Sequence, residues 1–279
     1  MTARAAAPSL PWRRARQFAR TPKGTLILIF VPLAVVAAAS AGVATVLPVT
    51  LATVLTATAL DLAINRLQRR AWIFPSGAII TGLIIAFVLS PAESWFAPVI
   101  ASAVAIGSKH AIRSRLANVF NPAALAIVAT SVLLGTVQSW WGALPDLGPV
   151  GVALLLVSGV FMADRINKLP LVLAFLGTYF FLFSEASFIV DPSQVAEVFR
   201  APDLQAVLFF AFFMLDDPPT CPVRYFDQAV FALIVGLVSY FVFITYGAVY
   251  YLPAGLLAGN AFEALRRRFL RLGYRAAAA

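Results

Sequence analysis

The sequence predicts an all-α, polytopic membrane protein with about ten transmembrane helices. Of its 279 residues, 61% are hydrophobic and only 12% are charged. A soluble domain carries roughly twice that charged fraction. Apolar stretches long enough to cross ~30 Å of hydrocarbon recur along the whole chain. The composition therefore predicts one large transmembrane domain and leaves no room for a large soluble one.

The apolar stretches, read against charges and prolines, place the ten spans in chain order. Their predicted ranges are 24–46, 48–65, 73–90, 95–108, 119–139, 149–163, 169–190, 203–215, 226–246 and 248–265. The fourth and eighth are near the lower limit for crossing, so we expect them to be tilted, broken or re-entrant. A basic segment (residues 1–23) precedes this domain (24–265), and a basic tail (266–279) follows it. The basic start resembles a signal peptide, but the long apolar run and the later spans favour a retained first helix.

Charged residues test the number of spans and predict their orientation. Every even-numbered span ends in a basic loop or tail, with Arg66, Arg69, Arg70, Lys109, Arg113, Arg115, Arg165, Lys168, Arg224, Arg266, Arg267, Arg268, Arg271 and Arg275. The alternate loops carry Glu93, Asp146, Asp191, Glu197 and Asp203, with one base, Arg200. By the positive-inside rule both termini are predicted to be cytoplasmic. The same loops account for the net charge of +9, so no nucleic-acid partner is predicted.

Ten spans divide into two sets of five. Because five is an odd number, the chain finishes the first set on the other side of the membrane, and the second set starts from that opposite side. We therefore predict two inverted five-helix repeats, over about 24–139 and 149–265. Two pairs of similar segments support the repeat: "FNPAALAIV" with "YLPAGLLAG", and "LIIAFVLSP" with "FFAFFMLDDPPTCP". In such folds the functional site lies near the interface of the halves, at mid-membrane depth.

Two kinds of redox centre are excluded within a single chain. The sequence has one cysteine, Cys221, so neither an internal disulfide nor a four-cysteine iron–sulfur site can form. It has one histidine, His110, so a bis-histidine haem cannot form either. No metal site is predicted.

Five segments in order resemble one family. They are "SGAIITGLIIAFVLSP" (76–91), "IGSKHAIRSRLANVFNPAALA" (106–126), "VQSWW" (137–141), "FFAFFMLDDPPTCP" (209–222) and "GLLAGNAFEAL" (255–265). In this order they resemble the NqrB/RnfD family, the membrane subunit shared by the Rnf ferredoxin:NAD oxidoreductase and the sodium-translocating NADH:quinone oxidoreductase. The resemblance covers roughly residues 24–268. It implies an architecture similar to urea transporters, a place in the bacterial cytoplasmic (inner) membrane, and electron transfer through flavins coupled to sodium or proton movement.

The sequence departs from this family at one place. Family members carry, after the fifth helix, a segment with a threonine that is esterified to FMN. Here "VQSWWGALPDLGPVGVAL" leads almost directly into the sixth span, and no matching motif occurs. We therefore predict no covalent FMN. The resemblance still implies a non-covalent flavin, riboflavin or FMN, and a quinone is possible.

Asn118 and Asn121 are the first candidate cofactor-binding residues, because in the resembling family this segment lies by a non-covalent flavin. Their spacing of three would put both amides on one helix face. An amide both donates and accepts, which suits the edge of a flavin or a quinone. The alternative is helix capping, since Asn121 before Pro122 makes a good N-cap with proline at the first helical position.

Four small residues of the third span, Ser76, Gly77, Thr81 and Gly82, are further cofactor-binding candidates, with a ring lying against their face. Close helix packing is the alternative explanation for small residues at such spacing. Lys109, with His110, Arg113 and Arg115, forms a basic loop that could bind a flavin phosphate or dock an acidic partner. Anchoring by the positive-inside rule is the alternative there.

Asp216, Asp217 and Thr220 are the candidate residues of a cation path. Adjacent carboxylates near the membrane boundary could bind a cation or gate its entry. Asp before Pro is, alternatively, common at a helix end that faces water. Cys221 in the same loop is predicted to be a small packing residue.

Two functions follow. The first is a non-autonomous subunit of a redox-driven translocase, passing electrons between a cytoplasmic flavoprotein reductase or ferredoxin-type donor and the membrane. The chain has no G-x-G-x-x-G fingerprint, so NADH would be oxidised elsewhere. The second is a small-solute or cation channel or transporter of urea-transporter-like fold without redox activity.

Overall fold

The computed structural model describes residues 11–68, 74–113, 118–186, 199–200 and 203–277. These residues form eleven α-helices: α1 (Pro11–Ala19), α2 (Pro22–Ala41), α3 (Val43–Leu67), α4 (Ser76–Val88), α5 (Phe96–Ala111), α6 (Pro122–Leu134), α7 (Gly148–Arg165), α8 (Leu169–Ala186), α9 (Asp203–Phe213), α10 (Tyr225–Tyr246) and α11 (Tyr251–Ala277). Two short 3₁₀ turns, Trp141–Ala143 and Pro145–Leu147, lie between α6 and α7. Of the charges used to predict orientation, Arg69, Arg70, Arg115, Asp191 and Glu197 lie outside the described residues.

A helix lies at each of the ten predicted positions, from α2 to α11 in order. Five segments are long and apolar enough to cross a membrane: α2, α3, Trp141–Arg165 (which contains α7), α8 and α10. Three further helices, α4, α6 and α9, are apolar but shorter. The chain is therefore an all-helical, multi-pass membrane protein.

Of the two spans predicted to be short, the eighth is confirmed, since α9 has 11 residues, but the fourth is not, since α5 has 16. The third and fifth positions hold helices of 13 residues each, α4 and α6, whereas the fourth holds 16. At 1.5 Å per residue, 13 residues span about 20 Å, which is less than the ~30 Å hydrocarbon core. The reason lies at their ends. The backbone becomes extended at Leu89, and Gly135 ends α6 in the left-handed region (φ 68°). Both spans were predicted to be longer because the residues beyond these ends are apolar.

The two sets of five helices, α2–α6 and α7–α11, share a packing pattern. In the first half α2 packs on α4, α3 on α5, and α5 on α6. In the second half α7 packs on α9, α8 on α10, and α10 on α11. The third helix of each half, α4 or α9, is short, and each is followed by a non-helical segment before the next helix.

Aromatic rings fill the space where the two halves meet. Phe30 of α2, Phe87 of α4, and Phe209 and Phe213 of α9 are buried, with ring centroids 5.2 to 6.0 Å apart. Every side chain from Gln205 to Phe213 is buried. A helix that is apolar all round belongs inside a protein, so α9 lies in the centre of the molecule, in contact with α7 and α8.

Candidate functional site

A cavity of about 80 Å³ lies between the two halves. Its walls come from α2, α4 and α6 of the first half and from α7, α9 and the segment after α9 of the second. The polar residues in its wall are Thr81, Asn121, Asp216 and Asp217. One water needs roughly 10–15 Å³ of such volume, so there is room for several waters or a small cation. The structure thus brings together four residues that the sequence assigned to two separate roles.

Asn121 is an N-cap, and its amide also joins the two halves. Its Oδ1 accepts a hydrogen bond from the main-chain N–H of Ala124 at 3.1 Å, and Pro122 occupies the first helical position. Its Nδ2 donates to the carbonyl oxygen of Met214, just after α9, at 3.2 Å. Both amide atoms therefore have protein partners, and the capping alternative for Asn121 is confirmed.

Asn260 in α11, a residue with no role predicted from the sequence, completes this junction. Its Oδ1 accepts from the main-chain N–H of Asn121 at 2.8 Å, and its Nδ2 donates to the carbonyl oxygen of Thr220 at 3.4 Å. The side chain is fully buried. The signal was available, since an amide inside the apolar segment "GLLAGNAFEAL" needs a hydrogen-bond partner.

Asn118 lies apart from this junction. Helix α6 begins at Pro122, so Asn118 precedes it, half-buried, and pairs as an isolated antiparallel bridge with Arg113. Asn118 does not line the cavity. The expectation that both amides share a helix face is therefore wrong, because Asn121 is the N-cap of α6 whereas Asn118 precedes the helix.

Asp216 and Asp217 form the acidic wall of the cavity. Asp216 is 4% exposed, and among the described residues its buried Oδ2 has no hydrogen-bond partner. Burial, together with the neighbouring charge of Asp217, raises the pKa of Asp216 well above its usual value. Burial also raises the pKa of Asp217 to about 6, although a hydrogen bond from Thr220 and the charges of Lys23 and Lys109 act in the opposite direction. These carboxyls therefore hold protons more tightly than exposed ones.

The loop that carries them, residues 214–224, is held through its carbonyl oxygens. Arg267 of α11 donates to Pro219 at 3.0 Å and to Cys221 at 2.8 Å, while Glu263 holds its guanidinium at 2.6 Å. Further donors are Lys168, which bonds the carbonyl of Pro222, and Gln228, which bonds that of Val223. Because several elements fix this loop, the cavity has a defined acidic wall.

Cys221 in this loop is fully buried. Burial raises the pKa of its thiol to about 12. A thiol with such a pKa stays protonated at neutral pH and is a poor nucleophile. This is the environment expected of a packing residue.

The four candidate residues on α4 have different neighbours. Thr81 lines the cavity and donates to the carbonyl of Gly77 at 2.8 Å. Ser76 is buried at the start of the helix. A Cβ on Gly77 would lie 3.4 Å from the Nζ of Lys109. A Cβ on Gly82 would lie only 2.8 Å from Cα of Val54, so Gly82 is where α4 packs closely on α3.

Lys109 takes part in an ionic cluster around the buried Asp61, which was not predicted from the sequence. Its Nζ lies 2.9 Å from Oδ1 of Asp61 on α3, and Nε2 of His110 lies 3.0 Å from the same oxygen. Asn65 donates to the other carboxylate oxygen at 3.2 Å. A carboxylate within an apolar span, four residues before an asparagine, was the signal for such a cluster.

A flavin ring does not fit the cavity as the structure describes it. A cavity of roughly 150 Å³ holds a single benzene ring, whereas this one measures about 80 Å³. Both amide atoms of Asn121 are also bonded to protein groups. We therefore assign no step through a flavin to this cavity.

Helices at all ten predicted positions, eight of which are apolar, and a polar cavity between two helical halves define a polytopic membrane protein with a buried polar site. The family model described as "NQR2, RnfD, RnfE family" matches residues 7–147 and 134–265, nearly the whole chain. The chain belongs to this family, and it is thus a membrane subunit of the Rnf and Nqr type of complex. A search of curated proteins gave no match.

Proposed function

We propose that this chain is a non-autonomous membrane subunit of an Rnf/Nqr-like electron-transport complex and that the Asp216–Asp217 cavity belongs to its cation path. Electrons would pass between a cytoplasmic redox partner and the bacterial inner membrane through a non-covalent flavin. The observation that carries the cation part is the buried Oδ2 of Asp216, which has no hydrogen-bond partner among the described residues and belongs to the wall of a cavity with room for several waters. Carboxylates buried within membrane proteins typically mark ion or proton pathways.

Ten spans in two inverted repeats are part of this proposal. The alternating charges of the loops and the shared packing pattern of the two halves support it. Short helices at the third position of both halves support it further, because short segments in corresponding positions mark the binding site of such folds. With both termini cytoplasmic, the cavity lies toward the cytoplasmic side, since Lys109, Arg165 and Lys168 belong to that end.

Aromatic packing closes the path beyond the cavity. Phe213 lines the cavity and packs against Phe209 at 5.2 Å between ring centroids. Phe209 contacts Phe87 at 5.8 Å, and Phe87 contacts Trp141 at 5.3 Å. A cation that crossed would require these rings to part, which is the kind of hydrophobic constriction that gates ion pathways.

The flavin part rests on membership of the family. When bound, a flavin supplies the electron chemistry, and the protein positions it and excludes competing reactions. Because the cavity is too small, the flavin would bind outside it; Asn118 and Lys109, at the basic end, are two candidates from the sequence that do not line the cavity. The redox partner would dock at the same end.

A cation or small-solute transporter without redox activity is the second candidate. One observation favours it: the cavity has the volume for waters or a small cation but not for a flavin ring. An absorption scan of the chain, purified in mild detergent, separates the two functions. An acid-releasable flavin band supports the redox role, whereas a colourless preparation that moves solute into liposomes rejects it.

A carbodiimide experiment tests the cation path independently of the flavin. Dicyclohexylcarbodiimide modifies protonated carboxyl groups in apolar surroundings, and mass spectrometry locates the modified residue. We expect modification at Asp216 that Na⁺ slows if the site binds sodium, or that only a higher pH slows if it binds protons. The exposed Asp146, in a loop of opposite predicted sidedness, is the control. If Asp216 stays unmodified, or if neither Na⁺ nor pH affects its modification, the cation path is rejected.

A further inference from the structure

Helix α1 separates its charged side chains from its apolar ones. At 100° per residue, Ala15, Phe18 and Ala19 fall within one arc of the helix, while Arg13, Arg16 and Gln17 fall on the opposite side. Arg16 and Gln17 are exposed. A short helix with arginines on one face and apolar residues, including an aromatic ring, on the other is the pattern of a helix that lies in a membrane interface.

The direction of α1 is set by contacts near its C-terminal end. Thr21 caps the next helix, α2, and Pro22 occupies the first helical position. The helical conformation is therefore interrupted between α1 and α2. Thr25 donates to the carbonyl of Ala19 at 3.1 Å, and Arg165 of α7 donates to the carbonyl of Arg20 at 2.6 Å. A Cβ on Gly24 would lie 2.0 Å from the carbonyl oxygen of Phe18. The end of α1 therefore folds closely onto the first turn of α2.

The apolar face of α1 continues into a neighbouring apolar surface. The ring of Phe18 packs edge-on against Phe74 at 5.3 Å between centroids, and Phe74 is 60% exposed. Phe74 stands two residues before α4, at the same end of the bundle as the start of α2. The exposed apolar surface at this level would contact the boundary between acyl chains and headgroups.

The charge at this end suits an anionic surface. Five basic residues lie between positions 13 and 23, and the first acidic residue of the chain is Asp61. Juxtamembrane arginines and lysines are attracted to anionic lipids by about 1 kcal/mol each. We propose that α1 is an interfacial helix that binds the phosphate headgroups of anionic lipids through its arginine face and inserts its apolar face beneath them. This inference does not depend on the electron-transport function.

Nitroxide labels on the two faces test the proposal in the full chain. Gln17→Cys and Ala15→Cys can be labelled selectively, because the native Cys221 is fully buried. In nanodiscs that contain phosphatidylglycerol, we expect the label at position 15 to be reached by oxygen and shielded from an aqueous nickel complex. The label at position 17 should behave in the opposite way. Equal exposure of both labels to the nickel complex would overturn the proposal.

The charge contribution is tested by lipid, salt and substitution. The label at position 17 should be immobilised by phosphatidylglycerol and released in pure phosphatidylcholine or at high salt. Arg16→Gln should lower the ratio of immobile to mobile label about fivefold, the value that corresponds to one basic residue at the surface. Arg224→Gln, an exposed basic residue before α10, is the matched control and should change nothing. If the label is immobilised only after an acidic partner protein is added, the proposal of lipid binding is overturned and α1 is a protein-docking helix instead.

Discussion

The main-chain N–H of Asn121 donates to the Oδ1 of Asn260 across 2.8 Å. This bond joins Asn121, the N-cap residue of α6, to the middle of α11 and thereby connects the two halves beside the acidic cavity. The amides of these two residues also hold the carbonyls of Met214 and Thr220. The position of the acidic loop therefore depends on both residues.

Asn260→Leu should destabilise the protein by about 1–3 kcal/mol, because it leaves the buried N–H of Asn121 and the carbonyl of Thr220 without partners. Thermal unfolding in detergent, followed by fluorescence-detected gel filtration, measures the change. Asn118→Ala is the control and should stay within about 0.5 kcal/mol of wild type. Equal stability of Asn260→Leu and wild type would show that the junction contributes nothing.

Replacing Asn121 separates its two roles. Asn121→Ala removes both the cap, which contributes roughly 0.5–2 kcal/mol, and the bond to the carbonyl of Met214. Asn121→Ser keeps a capping oxygen but cannot replace the bond to Met214, so its stability should be intermediate. If the serine variant is as unstable as the alanine variant, capping is not what Asn121 contributes.

The stability of the protein should depend on pH through Asp217. Its folded pKa of about 6 lies above the ordinary value of 3.8, so the ionised form is disfavoured in the folded state. This destabilisation is fully present above pH 6 and disappears as the pH falls through 6 toward 4. Asp217→Asn should therefore be more stable than wild type at pH 7.5, with a smaller difference at pH 4.5, in parallel unfolding measurements. Asp146→Asn, on an exposed residue, should show no such dependence.

The Asp61–Lys109 pair should show coupling in a double-mutant cycle. Lys109→Met leaves a carboxylate that is 5% exposed without its main partner, so we expect a loss of about 1–3 kcal/mol. Asp61→Asn combined with Lys109→Met should recover part of the loss, because no buried charge then lacks a partner. Additive effects of the two single substitutions would show that the pair does not act as a unit.

Gly82→Ala should destabilise the packing of α4 on α3. The added Cβ would lie 2.8 Å from Cα of Val54, and a backbone atom cannot move aside cheaply. We expect a cost of about 1–3 kcal/mol. The matched control is Gly107→Ala on α5, where no atom of the described residues lies within 4 Å of the added methyl and helix propensity favours alanine. If both variants unfold at the same temperature, the close approach at Gly82 is not a constraint.

Much of the fold could be predicted from the sequence, because apolar length and charge position are local properties. All ten helical positions were found in this way, and the described helices that match them are α2 to α11. Helix lengths were predicted less well. An apolar residue such as Leu89 satisfies a hydropathy argument whether it continues a helix or pairs with Gln138 in extended conformation.

The candidate site was predicted in part. Asn121, Asp216 and Asp217 were singled out because polar groups in an apolar chain need a reason to be there, and Thr81 was singled out as one of four small residues of its span. Asn260 and Asp61 were missed, although each is also a polar residue within an apolar stretch. Their partners are 139 and 48 residues away in sequence, and no local pattern shows which distant group an amide or carboxylate will meet.

The sequence by itself determined that the chain enters the membrane, where its helices lie and which end of the bundle is basic, since these follow from hydropathy and charge along the chain. Only the tertiary structure decided that two carboxylates from the second half meet a threonine and an asparagine from the first around one small cavity. It also decided that the side-chain amide of Asn121 is hydrogen-bonded to main-chain groups of the protein. Hydrogen bonds and cavities depend on distances between residues far apart in the chain, and those distances exist only after the helices have packed.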